Sequence, residues 1–343
     1  MKNRLILWLV RKLQKPRLAT PNQRILVVST TALGDTLWAT PALESLRKSF
    51  PDASIAVLTS PIGEQVLRHN PWVNQTYVLR KPLWLLLSLW RALRKERFDT
   101  VLLLHASQRL ILPLSALLGA QKIIGTSGIN KGLDALLTDP IPPTHQHEIV
   151  RRLELIERTG AKRHTETLSF FLQPKERLYL FKPKPLIALH PGSKDTFKRW
   201  PAEHFIAVGQ RLQALGLQIL ITGTQEELPL MQHIAAQIPG AQIADAHLSL
   251  RAFAALLEQT DLLISNDTGP VHLACALQKP LIALYAPLDP ALCGPHKAKH
   301  AIAIAKRTTC QPCLKRACRR PFCLLQIGPE EVVDKAIQWI KYF

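Results

Sequence analysis

Residues 262–274 (LLISNDTGPVHLA) constrain the fold of this chain most, because an apolar run stops at small polar residues and then resumes with helical spacing. This order predicts a buried strand, a tight turn and a helix. Backbone amides at the start of such a helix, beside a glycine that lets a ligand come close, can bind a diphosphate. Taken alone, the segment favours an ordinary strand-to-helix turn, in which Asp267 or Thr268 caps the helix and His272 faces the core.

Two further segments have the same organisation. Residues 186–193 (LIALHPGS) form a buried-strand pattern that ends in a glycine turn, and residues 194–205 follow with Lys198 just before a predicted helix. Residues 24–28 lead into a turn that presents the carboxylate of Asp35. One such turn is weak evidence, since short motifs match by chance. Three of them, each at the carboxyl end of a predicted strand, indicate a ligand site, because open α/β sheets bind ligands there.

Strand and helix patterns alternate along both halves of the chain, which predicts parallel β-α-β units. The predicted fold is α/β, with two doubly wound, Rossmann-like domains that meet near a proline-rich stretch at 173–185. The predicted strands lie at residues 25–29, 54–59, 100–105 and 119–125 (the last at the sheet edge), and at 186–190, 218–222, 262–265 and 281–285. The predicted divisions are a basic amphipathic extension (1–23), a first domain (24–175), a second domain (185–328) and a closing helix (329–343).

The charge of the chain points to a polyanionic partner. Lys and Arg number 44 against 25 Asp and Glu, giving a net charge of +19. Nucleic acid, an anionic membrane or a phosphorylated glycolipid would each satisfy this excess. The sequence has no familiar RNA- or DNA-binding signature, and at 6% aromatic residues it does not suggest a platform for stacking bases. We therefore favour a membrane and glycolipid partner and expect no nucleic acid.

Two apolar runs with basic flanks are candidates for membrane contact. Residues 5–10 form a run that is too short to span a bilayer, and the small-residue cleavage site of a signal peptide is missing after it. We predict an amphipathic extension whose run 5–10 enters the membrane interface. Residues 83–90 form a second run, for which a core helix with a solvated basic end and a membrane contact both remain open. The basic residues after the second run are Arg91, Arg94, Lys95 and Arg97.

The cysteines are unevenly placed. Cys310, Cys313, Cys318 and Cys323 lie within fourteen residues and could surround a tetrahedral metal or an iron–sulfur cluster, although their gaps match no standard ligand pattern. Thiols without a metal are the alternative, and disulfides are not expected in the cytosol. Cys275 and Cys293 are expected to be small buried hydrophobes. We assign no metal ligand and no cofactor.

The three turn segments together resemble the bacterial ADP-heptose:lipopolysaccharide heptosyltransferase family, glycosyltransferase family 9, over about residues 24–340. The resemblance rests on Gly34-Asp35, residues 198–201 (KRWP) and residues 267–274 (DTGPVHLA), in the family's order. It implies the GT-B architecture, in which two Rossmann-like domains face a cleft, with the acceptor site in the first half and the donor site in the second. It also implies that the closing helix packs back onto the first domain.

The function that the resemblance implies is metal-independent, inverting transfer of a heptose or related sugar from ADP-heptose to a lipopolysaccharide core precursor. The expected partners are therefore a nucleotide-sugar donor, a lipid-linked glycan acceptor and an anionic inner-membrane surface. Together with the basic extension, this predicts a cytoplasmic enzyme that is peripheral on the cytoplasmic face of the inner membrane. A noncatalytic sugar-nucleotide or glycolipid-binding protein and a nucleotide-sugar epimerase of the same architecture remain alternatives. Turnover would exclude the first, and dependence on an acceptor would exclude the second.

Residue chemistry and the resemblance together assign the site. Asp35 is the expected general base, with helix capping as the alternative, and Lys198 is expected to neutralise the departing diphosphate unless it is a surface lysine. Glu226 matches a family position near the donor's nucleoside, with Glu227 as the alternative. Acceptor contacts are open, because Ser29-Thr30-Thr31 stands where some members carry a lysine before the hydroxyl pair. The other predicted substrate-binding residues are Thr31, Gly34, Ser193, Lys194, Asp267, Thr268, Gly269 and His272.

Overall fold

The structure is a computed structural model that describes residues 2–13, 22–80, 84–105, 109–178, 184–286, 288–306, 318 and 322–340. It divides into two units, Met1–Phe171 and Leu172–Phe343. Each unit contains one six-stranded sheet in which all the neighbouring strands are parallel. The strands of the first unit are β1 (Arg24–Ser29), β2 (Ser54–Thr59), β3 (Gln75–Val78), β4 (Thr100–His105), β5 (Lys122–Thr126) and β6 (Asp139–Ile141). Its α-helices are α1 (Lys2–Leu13), α2 (Leu33–Ser49), α3 (Pro61–Leu67), α4 (Leu85–Lys95), α5 (Ile111–Ala116) and α6 (Glu148–Glu157).

The second unit repeats this alternation of strands and helices. Its strands are β7 (Leu186–His190), β8 (Gln218–Ile221), β9 (Gln242–Ile243), β10 (Leu262–Asn266), β11 (Leu281–Tyr285) and β12 (Ala301–Ala305). Its α-helices are α7 (Ala202–Ala214), α8 (Leu228–Ala236), α9 (Leu250–Glu258), α10 (Gly269–Ala276), α11 (Pro290–Cys293), α12 (Phe322–Leu325) and α13 (Pro329–Ile340). The prediction of two doubly wound α/β domains is confirmed.

The two sheets share one connectivity. The first has the order β3-β2-β1-β4-β5-β6, and the second has the order β12-β11-β10-β7-β8-β9, which is the same path through six strands. In each sheet the first three strands in sequence lie in order from the centre to one edge, and the next three lie in order from the centre to the other edge. The strand order therefore reverses between β1 and β4 in the first unit and between β7 and β10 in the second, and such reversals are where doubly wound sheets bind ligands.

Burial explains why the central strands form. Residues Ile25 to Val28 of β1 are all fully buried, as expected of a parallel strand with helices on both faces of its sheet. One face, lined by Leu26 and Val28, packs against residues of α4 and α5. Helix α2 packs against α6 and α3.

The edges of the first sheet differ from the prediction. The strand predicted at 119–125 begins at Lys122 and lies between β4 and β6, so it is not the edge strand. The strand at this edge is β6, which has only three residues and includes Pro140, and β3 forms the opposite edge. Proline is tolerated at an edge, where its missing N–H is not needed by a neighbour. So short a strand has no periodicity from which to predict it.

Helix α1 is part of the first unit rather than a separate extension. Val10 is buried, and Ile6 and Leu7 pack against the same core cluster as α4 and α5. The prediction that the whole run 5–10 enters a membrane interface is therefore wrong for Val10, because the sheet's core takes that side of the helix. Within the described part of the chain, no helix has both the length and the apolar character needed to cross a bilayer.

Helix α13 closes the core of the second unit. It packs against α7 and β11, and its buried residues join the same cluster as Trp200. The indole N–H of Trp200 donates to the carbonyl of Ile327 at 3.0 Å, just before α13 begins. The predicted return of this helix to the first domain stays a prediction.

Candidate active site

The strand-order reversal of the first sheet brings together two polar side chains that are far apart in sequence. Strands β1 and β4 are parallel neighbours, so the turns that follow them both start at the carboxyl ends of the strands. Asp35 lies in the first turn of α2, directly after β1, and His105 is the last residue of β4. A carboxylate and an imidazole therefore lie at the position where this type of sheet binds ligands.

Asp35 caps its helix and also faces charged groups. Its Oδ2 accepts a hydrogen bond from the backbone N–H of Ala32 at 3.2 Å. Its Oδ1 accepts one from Nη2 of Arg152 at 3.2 Å and lies 3.8 Å from Nδ1 of His105. Since 15% of the side-chain surface remains exposed, the carboxylate is accessible to a ligand. The capping role and the predicted catalytic role are thus compatible, and the catalytic role stays a prediction.

Arg152 is a buried cation that sequence analysis did not single out. Its side chain is 1% exposed and donates to Oε2 of Glu148 at 2.5 Å as well as to Asp35. Its guanidinium carbon lies 5.3 Å from the centroid of the Trp38 ring, within the range of a cation–π interaction. These contacts join α6, which carries Glu148 and Arg152, to α2. The only sequence signal was an acid–base pair four residues apart, and that spacing is typical of exposed helices in general.

His105 completes what we call the Asp35 cluster: Asp35, Arg152, Glu148 and His105. Burial lowers the pKa of His105, and Arg152 adds to this effect while Asp35 opposes it. The lowered pKa favours a neutral imidazole near neutral pH. Asp35 therefore faces one cation and one neutral ring.

The turn before α2 contains the predicted residues Thr31 and Gly34. The carbonyl of Thr31 accepts a hydrogen bond from the Ser60 hydroxyl at 2.8 Å, which ties this turn to the start of α3. Among the described residues, the Thr31 hydroxyl is buried without a hydrogen-bond partner. An unsatisfied buried group of this kind costs about 1–3 kcal/mol, and a polar ligand atom would relieve the cost. Gly34 is buried within α2. The substrate contacts of both residues stay predictions.

In the second unit, Asn266 organises the turns around the reversal between β7 and β10. Its Oδ1 accepts a hydrogen bond from the backbone N–H of Trp200 at 3.0 Å, and its Nδ2 donates to the carbonyl of Pro191 at 2.8 Å. One fully buried side chain therefore joins the turn after β7, the segment before α7 and the turn after β10. Sequence analysis passed over Asn266 because an asparagine beside Asp-Thr-Gly is typical of any turn.

Lys198 and Asp267 form an ion pair at this reversal. The Lys198 ammonium donates to Oδ2 of Asp267 at 2.7 Å, and the two side chains are 14% and 5% exposed. Burial raises the pKa of Asp267, and Lys198 opposes this rise. An ammonium has three donors, and Asp267 accepts from one of them. Lys198 is thus held in a fixed position and is not a loose surface lysine.

The other predicted residues surround this pair. Ser193 is buried in the turn after β7, and Lys194 beside it is exposed. Thr268 is the N-cap of α10 and Gly269 is its first residue, so the positive end of the helix dipole lies next to Asp267. His272 is buried within α10. We call Lys198, Asp267, Asn266 and Ser193 the Lys198 cluster, and the substrate contacts of the predicted residues stay predictions.

The structure distinguishes the two neighbouring acids after β8. Glu227 is buried and accepts a hydrogen bond from the backbone N–H of Thr224 at 2.9 Å. A Cβ added to Gly192 would clash with the Glu227 carboxylate, so glycine at position 192 lets the carboxylate lie directly against this turn. Glu226 is exposed, and hydrogen bonds from its own backbone and from the Thr224 hydroxyl lower its pKa. Of the two acids, Glu226 is therefore the one accessible to a ligand.

His190 lies beneath the same turns. Its Nδ1 is 3.0 Å from the hydroxyl of Thr222, and burial lowers its pKa to about 4. The ring is therefore neutral near pH 7. A neutral, hydrogen-bonded ring suits a role in orienting the turn after β7.

The cysteine prediction falls largely outside the described residues, because Cys310 and Cys313 are not among them. Cys318 is half-buried and Cys323 is buried. No group of three or more metal-binding side chains occurs in the part of the chain that the structure describes. Burial raises the pKa of Cys275 to about 12, in keeping with a packing role.

Comparison with known proteins decides the family. A family model described as glycosyltransferase family 9 (heptosyltransferase) matches residues 86–323. This chain belongs to glycosyltransferase family 9. It is therefore a glycosyltransferase, and the resemblance drawn from the three turn segments is confirmed.

Similar proteins extend over nearly the whole chain. Lipooligosaccharide heptosyltransferase 2 of Campylobacter jejuni is 25% identical over 332 residues, which cover 93% of this chain and 98% of the relative. The crystal structure of the family 9 glycosyl transferase from Veillonella parvula has a TM-score of 0.83 at 24% identity and covers 95% of this chain and 99% of its own. The structure of E. coli heptosyltransferase WaaC with ADP has a TM-score of 0.72 at 19% identity, with coverage of 92% and 99%. These two structures support the fold.

Proposed function

We propose that this glycosyltransferase moves a heptose from ADP-heptose to a lipid-linked glycan, a lipopolysaccharide core precursor, with inversion at the anomeric carbon. The observation that carries the proposal is the fixed Lys198–Asp267 ion pair at the start of α10, where a diphosphate would meet both the ammonium and the helix N-terminus. The relatives support the choice of donor and acceptor. One of them is a lipooligosaccharide heptosyltransferase, and another was solved with ADP.

The Lys198 cluster binds the donor in this proposal. When the bond between the anomeric carbon and the diphosphate breaks, negative charge grows on the leaving phosphate. Lys198 and the amides of Thr268 and Gly269 neutralise that charge, with Ser193 and Lys194 as further donors. Because Asp267 holds the ammonium in place beforehand, little reorganisation is needed during the reaction, and such preorganised charge is worth several kcal/mol. Glu226 binds the hydroxyls of the nucleoside.

The Asp35 cluster activates the acceptor. Asp35 takes the proton of the acceptor hydroxyl, and the hydroxyl oxygen attacks the anomeric carbon from the side opposite to the leaving diphosphate. This direction of attack gives inversion. Arg152 orients the carboxylate through its hydrogen bond to Oδ1, and Thr31 offers its unpaired hydroxyl to the acceptor. The proposal gives no role to a metal or cofactor.

The attachment that we propose is peripheral, on the cytoplasmic face of the inner membrane. The acceptor is anchored in lipid, and the chain carries a net charge of +19, which favours an anionic surface.

Incubation with a panel of labelled nucleotide sugars, with and without lipid-core extract, tests the proposal. We expect label from ADP-heptose to enter the lipid fraction only when extract is present, and NMR of the product to show an inverted anomeric centre. Asp35→Ala is the control for background transfer. Conversion of the nucleotide sugar without any acceptor would indicate an epimerase instead, and tight binding without turnover would indicate a binding protein.

A further inference from the structure

Helix α1 has two apolar faces, and among the residues that the structure describes only one of these faces packs into the core. Val10 is buried in the core of the first unit, where Ile6 and Leu7 also pack. A second set of large apolar side chains remains 41% to 59% exposed: Leu5, Trp8, Leu9 and Leu13. Their spacing places them in one stripe along the helix. A contiguous exposed stripe on a helix that is already docked indicates an interaction surface.

Helix α4 repeats this arrangement. Leu93 is buried, and Leu89 and Trp90 pack against the same core cluster. At its start, Trp84 is 77% exposed and Leu87 is 52% exposed. Its other end is cationic, with a surface groove of about 480 Å³ that is lined by Arg91, Arg94, Lys95 and Arg97. The core-helix interpretation is therefore confirmed for the buried side of α4, and membrane contact by its exposed side stays a prediction.

The two helices belong to the same side of the first sheet. The core cluster that they share includes Leu26 and Val28 of β1, which alternate with Ile25 and Val27 and so face one side of the strand. Helix α5, whose residue Ile111 lies in this cluster, also contacts α1. The exposed sides of α1 and α4, marked by Leu5, Trp8, Leu9, Trp84 and Leu87, form what we call the two-helix face.

Charge on the two-helix face has one sign. Neither α1 nor α4 contains an Asp or Glu. A groove of about 490 Å³ on α1 is lined by Arg4, Arg11 and Lys12 together with Trp8. Tryptophan is enriched at the boundary between water and lipid, and Lys and Arg near that boundary are attracted to anionic headgroups. Exposed tryptophans beside the cations of these two helices match this combination of apolar and anionic surface.

We propose that the two-helix face docks on an anionic bilayer, with the exposed sides of α1 and α4 lying in the interface. This identifies the surface responsible for the membrane attachment proposed above, and it rests on that attachment. The occupant is a lipid surface rather than a protein pocket, because the apolar side chains project outward from two separate helices and the cations lie beside them. Both helices are fixed to the core of the first unit, so the whole unit would be oriented on the membrane.

Vesicle sedimentation of the full-length protein tests this surface. We expect binding to vesicles of phosphatidylcholine mixed with phosphatidylglycerol, weaker binding at high salt, and little binding to phosphatidylcholine alone. Each Lys or Arg near an anionic surface contributes about fivefold to partitioning, so the double variant Arg91→Gln/Lys95→Gln should bind roughly 25-fold more weakly. Trp8→Ser, which removes apolar surface from the interface, should weaken binding about tenfold or more. Truncation of α1 is avoided because Val10 belongs to the core.

Matched controls come from the second unit. Leu215 is 59% exposed, and Lys175 and Lys299 are exposed. Leu215→Ser and the double variant Lys175→Gln/Lys299→Gln should bind vesicles like the wild type. The proposal is overturned if the face variants sediment as strongly as these controls, or if wild-type binding ignores lipid charge and salt. It is also overturned if the face variants change only the oligomeric state in light scattering, since the face would then contact protein.

The same variants separate this proposal from the proposed reaction. Face variants should retain transfer to a short, water-soluble acceptor, because none of the changed residues lies in the Asp35 or Lys198 cluster. Normal vesicle binding without any transfer would count against the proposed reaction and leave the two-helix face standing. If transfer is normal and the face variants bind vesicles as strongly as the wild type, the two-helix face is overturned and the proposed reaction stands.

Discussion

Replacement of Arg152 by methionine removes the cation that holds Asp35 while keeping much of the buried stem. In the wild type, the guanidinium is 1% exposed and bonds to the carboxylates of Asp35 and Glu148 at 3.2 and 2.5 Å. The variant leaves these two carboxylates without the cation between them. We therefore expect Arg152→Met to lose both stability and activity, for separable reasons.

The loss of stability can be sized from burial. Removing one partner of a buried ion pair costs about 3–5 kcal/mol. The Asp35 and Glu148 side chains keep 15% and 23% of their surfaces exposed, so water relieves part of the cost and the lower end of that range applies, about 3 kcal/mol. For a unit of the size of Met1–Phe171, each kcal/mol lowers Tm by about 2–4 °C. Tm of the first unit should fall by about 6–12 °C.

The loss of activity should appear in kcat. A displaced catalytic group can cost about 10²-fold in rate, so kcat should fall by about that factor, while ADP affinity stays unchanged because the Lys198 cluster lies in the other unit. Scanning calorimetry measures Tm, and initial rates below the lowered Tm measure kcat.

A double-mutant cycle decides whether Arg152 acts through Asp35. In the Asp35→Asn background, Arg152→Met should reduce kcat little further, since the group that it positions is already lost. If the two substitutions reduce kcat independently, so that their effects multiply, Arg152 does not serve Asp35 and the reasoning fails.

Three further predictions concern the second unit. Lys198→Ala should weaken ADP binding and turnover together, because the ammonium meets charge that is present in the bound donor and larger in the transition state. Calorimetric titration measures the ADP affinity and initial rates measure turnover. If both are unchanged, Lys198 has no role in the reaction. Gly192→Ala should lower Tm and weaken donor binding, because its Cβ would clash with the buried Glu227 carboxylate and force the carboxylate or the turn to move. Gly328→Ala, whose Cβ would meet no atom within 4 Å and whose backbone is not at positive φ, is the matched control; an unchanged Tm in Gly192→Ala would contradict the prediction. If the cysteines at 310–323 bind a metal, purified protein should contain about one equivalent of zinc or an iron centre that Cys313→Ser removes; metal-free protein of full activity and stability would assign them to packing.

The sequence predicts the parts of this fold that bury continuous apolar runs. Strands β1, β7 and β10 are fully or almost fully buried, and polar turn residues follow each one, so strand, turn and candidate ligand site can be predicted together. Strands β3 and β9 were missed because their residues are half-buried or exposed and the segments are short. Such strands form because a neighbouring strand offers its edge, which no local pattern records.

The Asp35 cluster shows where sequence-based prediction of the site ends. Asp35 could be predicted from its turn, but Arg152 is on α6, and it reaches Asp35 only because α6 packs against α2. The role of Asn266 could not be predicted for a similar reason, since its hydrogen-bond partners lie in the turns around Pro191 and Trp200. In α1, periodicity shows that apolar residues abound but cannot say which stripe the core will take.

The central claim is that Asp35 removes the acceptor's proton in a sugar transfer whose donor is bound by the other unit. The most direct test compares kcat and ADP affinity of wild type with those of Asp35→Asn, which preserves the shape of the side chain and a cap for α2. Loss of the base should lower kcat by about 10²–10⁴-fold, with ADP affinity close to that of the wild type. Transfer by Asp35→Asn within a small factor of the wild-type rate would contradict the account.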